Sequence, residues 1–171
     1  MRAIVHLGGN PKRLQTTHIE VLRYPNSFVV FLTPENPEEC FRKMVMAGVP
    51  RKKILFGFKG WDTLTGFVEL KNMLVGMGVK HIILVTDEGH LNPRSLWTAK
   101  IVFFMCGIKI TGAAHPSSYK DPWTRVVVDV FRAVVHTCTD ILLYNPKIRK
   151  ERELSIAGFK REYLDKVARV V

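Results

Sequence analysis

The chain has 171 residues, 47% of them hydrophobic, which is enough for one well-buried core and, by length, one domain rather than two. Its 26 Lys and Arg against 15 Asp and Glu give a net charge of +11, which attracts phosphates, nucleotides, nucleic acids and acidic lipids but says nothing about fold. The N-terminal apolar run is too short for a signal peptide, and the most apolar long segment, 125–144, is interrupted by Arg125, Asp129, Arg132, His136 and Asp140, against a membrane span and for a cytoplasmic chain.

In chain order, the first apolar run, AIVHLG (3–8), reads as a strand and stops at the pair Gly8–Gly9, followed by Asn10. A weaker helical pattern, PKRLQTTHIEVLRY, leads to a second strand, SFVVFL (27–32), and the junction TPEN. Residues 36–50 then give a clear helix. Asn36 is a natural cap, Pro37 suits the first turn, Glu38 and Glu39 suit the positive end, Cys40, Met44 and Ala47 share a face, and Gly48 stops it. KILFGF (53–58) is the third strand, and the junction KGWDT opens a helix in which Asp62 or Thr63 is the cap.

HIILVT (81–86) is the fourth strand and ends in the most polar junction of the chain, TDEGH. A helix over PRSLWTAKIVFFMCG, a fifth strand IKITGA (108–113), a turn at His115–Pro116 and a long helix from Asp121 complete the pattern. Cys106 and Cys138 lie in apolar runs and read as core thiols, and the three cysteines show no disulfide or zinc spacing. From Pro146 onward the charges of both signs are dense, so residues 1–146 read as the domain and 147–171 as a basic C-terminal helix or tail.

Short strands that are apolar on both faces, alternating with helices, predict a Rossmann-like three-layer α/β/α fold with a mainly parallel sheet of about five strands. In such folds ligands bind outside the carboxyl ends of the strands, at the topological switch point. The candidate binding residues are therefore Gly8, Gly9, Asn10, Thr33, Asp62, Thr63, Thr86, Asp87, His90 and Arg94. The glycine pair lets a ligand approach the backbone, and the following helix start offers amides to a phosphate or carboxylate. His90 is the candidate acid–base group, although an ordinary surface histidine also fits, and Arg94 can clamp an anion or make a surface ion pair. No GxGxxG, phosphate-loop or GxSxG motif is present. Asp62, Asp87, Glu88 and His90 could supply oxygen and nitrogen ligands, but their spacing matches no standard metal site, which argues against a structural metal and leaves metal dependence open.

Taken in order, AIVHLGGN, AGVPRKKILF, DTLTGFVELKNML and VKHIILVTDEGHLNPRSLWTAKIVFFMCGIKI resemble the YdcF/SanA/ElyC-like family of bacterial domains of unknown function, over about residues 3–145. The resemblance implies a polar cleft at the strand ends, an association with cell-envelope processes and S-adenosylmethionine as a ligand to consider. It maps the family's glycine pair to Gly8 and Gly9, its helix start to Asp62 and Thr63, and its last motif to Thr86 and His90. The chain departs from the pattern at Thr33-Pro34-Glu35, at Thr65, at Asp87 and in the spacing from His90 to Arg94. Three functions follow as expectations. The first is binding of a nucleotide-like or other anionic small molecule, as a transferase or hydrolase. The second is a nucleic-acid or acidic-surface module using the basic charge, although no nucleic-acid-reading motif is visible. The third is a non-catalytic scaffold whose polar groups bond one another.

Overall fold

The computed structural model describes residues 1–34, 36–59 and 63–142. Asp62 and the 147–171 tail lie outside the described residues.

Five strands, β1 (Arg2–Leu7), β2 (Ser27–Thr33), β3 (Ile54–Lys59), β4 (His81–Asp87) and β5 (Lys109–Lys120), form one sheet in the order β3-β2-β1-β4-β5. Every pairing is parallel. Burial on both faces explains why these runs do not alternate: all seven residues of β2 are buried. Helices α1 (Arg13–Arg23) and α2 (Pro37–Met46) cover one face, where Leu14, Val21, Cys40 and Met44 meet Ile4, Val29, Phe31, Ile83 and Val85. On the other face, α3 (Thr63–Gly76), α5 (Leu96–Val102) and α6 (Trp123–Leu142) pack onto Ala3, Val5, Val30, Ile82 and Leu84 through residues such as Phe67, Leu70, Val102 and Ala133. The protein is thus a three-layer, Rossmann-like α/β domain.

Local chemistry accounts for the clearest helix. The Asn36 side chain accepts the Glu38 amide at 2.9 Å, Pro37 opens α2, and Gly48, at φ +92°, ends the segment in a left-handed conformation.

Two boundaries and one burial differ from the sequence reading. The turn expected at His115–Pro116 is absent: β5 runs on to Lys120, since an edge strand tolerates a proline that a central strand would not. The helix expected from Pro93 is preceded by a single turn, α4 (Glu88–His90), and by an irregular helical stretch, Leu91–Ser95, in which Asn92 leaves helical geometry. Cys138, read as a core thiol, is exposed, because α6 is apolar on its outer side as well as its inner one.

Packing is tight where β3 meets β2. Phe31 is the register partner of Gly57, and a Cβ on Gly57 would lie 1.9 Å from the Phe31 ring. Gly57→Ala therefore displaces a buried aromatic ring and is expected to cost about 1–3 kcal/mol, read from urea unfolding midpoints.

His6 carries a second constraint. Its ring is 2% exposed with Nδ1 2.8 Å from the Thr17 hydroxyl. Burial, assisted by the nearby Arg13 charge, lowers its pKa from 6.5 to about 3. The unfolded chain takes up this proton near pH 6.5 while the native state refuses it until about pH 3, so stability falls as the pH drops through that window. The contribution is about 1.4 kcal/mol per pH unit. His6→Gln should flatten the pH dependence of unfolding between pH 6 and pH 4 by that slope.

Candidate functional site

The strand order places the switch point between β1 and β4, where the chain leaves in opposite directions. After β1, the backbone passes so close to β2 that a Cβ on Gly8 would lie 2.7 Å from the Thr33 hydroxyl, and the Gly8 amide donates to the Leu32 carbonyl at 2.6 Å. Gly9 has φ +107°, which excludes most side chains. Asn10 then accepts the Lys12 amide at 3.0 Å as the chain enters α1.

Across the switch point, Asp87 closes the gap. One carboxylate oxygen accepts from Asn10 Nδ2 at 3.0 Å, and the other accepts from Arg13 Nη2 at 2.5 Å. The same guanidinium donates through Nη1 to the Leu7 carbonyl at 2.7 Å and to the Gly8 carbonyl. Burial pushes the Asp87 pKa up, but the hydrogen bond and charge of Arg13, with donation from Asn10 and the influence of His115, outweigh it and hold the carboxyl below the usual range. His115 is the register partner of Asp87 on β5.

A second cluster ties the β4 end to β5 and α6. His90 Nδ1 lies 2.5 Å from Asp121 Oδ2, Arg94 Nη1 donates to Asp121 Oδ1 at 3.0 Å, and Arg94 Nε donates to Asp129 Oδ2 at 2.8 Å. The Asp121 side chain is 1% exposed and that of His90 is 15% exposed. Among the described residues, His90 Nε2 has no hydrogen-bond partner. Desolvation lowers the His90 pKa, Asp121 opposes through its charge and hydrogen bond, and Arg94 and Arg13 add to the lowering. The net shift is downward, so the imidazole is neutral at pH 7. The parallel fold also brings the starts of α1, α3 and α6 to this rim, with their positive poles toward it.

A groove of about 620 Å³ opens between α1 and β5, along the sheet face rather than at the rim. Tyr24, His81, Thr111 and Glu20 line it, and it reaches the strand ends at His115 and Pro116.

The candidate residues are thereby sorted. Gly8, Gly9, Asn10 and Asp87 meet at the switch point, and His90 and Arg94 share the second cluster through Asp121. Thr63 begins α3. Thr33 is 1% exposed and faces Gly8, while Thr86 is fully buried, with an unpartnered hydroxyl among the described residues. Arg94, expected to clamp an anion, has Nε and Nη1 taken up by carboxylates of its own chain. Sequence reasoning missed Arg13, Asp121 and Asp129. Arg13 was visible as a cation three residues past Asn10, and Asp129 as an acid inside an apolar helix.

Neither protein-family models nor curated proteins match this chain.

The Arg13 and Asp87 side chains are 10% and 6% exposed, so removing one partner strands a buried charge. Asp87→Asn is expected to cost about 3–5 kcal/mol in urea unfolding at pH 7, and the double variant Arg13→Met/Asp87→Leu distinctly less. Because the folded pKa is depressed, the wild-type contribution is full above the ordinary aspartate value of 3.8 and disappears as the pH falls through the folded value.

Proposed function

We propose that the chain binds a nucleotide-like or other anionic small molecule at the strand-end crevice, where His90 moves the proton of a transfer or hydrolysis reaction. One observation carries this reading: the His90 imidazole is fixed through Nδ1 by the buried Asp121 carboxylate, and its Nε2 has no partner among the described residues. A histidine held in this way has a set tautomer and an available base, as acid–base chemistry near neutral pH requires. The positive poles of the converging helix starts favour a phosphate or carboxylate there, while the amides of Gly8, Lys12, Arg13 and Leu14 are bonded within the chain. The groove at His115 gives the body of a ligand room within the usual range for small-molecule sites.

A second reading, a non-catalytic scaffold, is favoured by the commitment of Arg13 and Arg94 to carboxylates of the same chain. Calorimetric titration at low salt with ATP, ADP and S-adenosylmethionine separates the two. S-adenosylmethionine enters as a probe on the sequence resemblance alone. The binding reading expects heat with at least one nucleotide-like probe and an affinity at least 10-fold weaker in His90→Ala, at an unchanged unfolding midpoint. No heat from any probe, in wild type or variant, favours the scaffold.

A further inference from the structure

Helix α6 is apolar on two sides, yet among the described residues only one side is covered. Its inner side buries Val126 and Ala133 against α5 and α3, with Asp129 taken by Arg94. Its outer side presents Trp123, Val127, Phe131 and Val134 at 63%, 51%, 67% and 42% exposure, at helical spacings of 4, 4 and 3. Trp97 of α5 adjoins them, and together they bound an apolar groove of about 270 Å³. Single exposed apolar residues need no explanation, but a continuous stripe along a helix marks a contact surface.

We propose that the occupant of this groove is the segment that follows α6 in the same chain, residues 156–170. Its sequence carries the complementary pattern. Ile156, Phe159, Tyr163, Val167 and Val170 recur at spacings of 3, 4, 4 and 3, while Arg161, Glu162, Asp165 and Arg169 fall on the opposite side of the same helical period. At 1.5 Å per residue such a stripe spans about 22 Å, enough to cover the outer stripe of α6 at about 18 Å. In the sequence, Pro146 disfavours helical geometry at Asn145, and 13 residues, 143–155, give a link of enough reach to return the chain antiparallel. Attachment favours this partner over a second copy: a short tether gives an effective concentration of order millimolar, far above a micromolar solution of other chains.

The exposed Cys138 lies at the same angular position on α6 and reports coverage. Full-length wild type, Phe131→Asp and Phe159→Asp are compared by alkylation of Cys138, read by peptide mass, by trypsin cleavage after Lys160 and Arg161, and by light scattering. The proposal expects a slowly labelled Cys138 and slow cleavage in the wild type, both at least 10-fold faster in either variant, with a monomer mass throughout. Phe159→Asp lies outside the Rossmann-like unit and keeps the test valid where Phe131→Asp disturbs α6. Equal rates in all three proteins overturn the proposal. So does a wild-type dimer that Phe131→Asp converts to monomer, which assigns the face to a second copy. Wild-type binding to anionic phosphatidylserine vesicles that is lost in Phe131→Asp assigns it to a membrane surface and also overturns the proposal.

Discussion

The ion pair between Arg13 and Asp87 joins the two halves of the sheet at the point where the chain changes direction. Arg13 opens the first helix and Asp87 closes the fourth strand, 74 positions apart in sequence. The guanidinium also caps the carbonyls of Leu7 and Gly8, so the glycine turn, the helix start and the β4 terminus are held as one unit. A buried charge pair of this kind adds little net stability compared with well-packed apolar groups, but losing either partner is costly. It fixes the geometry of the crevice, and the glycines that could accept a ligand cannot move independently of it.

The second cluster repeats the same physics with a different outcome. Asp121 and Asp129 bind Arg94, and Asp121 also holds His90, so most of the charge at the rim is balanced within the chain. The His90 imidazole is left neutral, held through Nδ1. The net charge of +11 is therefore a poor guide to the site, since the rim arginines are among the cations already engaged. Helix poles add positive partial charge at the rim, which no residue count reveals.

Much of the fold was legible because it rests on local patterns. Val29, Val30 and Phe31 are buried on both faces, and such a run reads as a central parallel strand. Asn36, Pro37 and Gly48 announced α2 by their own conformational preferences. The length of β5 was hidden by Pro116, whose meaning depends on whether the strand is central or at an edge. The strand-end positions of the candidate residues were legible, but their pairing was not. The junction chemistry pointed to Gly8, Asp87 and His90, whereas Arg13 and Asp121 become their neighbours only after the chain has folded. Cys138 shows the limit of hydropathy, which marks a residue as apolar-flanked without saying which side of a helix is covered.

The fifth strand has a further consequence. Among the described residues it leaves one long side of the sheet open, and an open strand is a template on which another chain can extend the hydrogen-bond ladder. Pro116 interrupts that template by contributing no N–H, and the lysines at its two ends, Lys109 and Lys120, place like charges against any identical strand that docks in register. This edge is thereby guarded against edge-to-edge polymerisation.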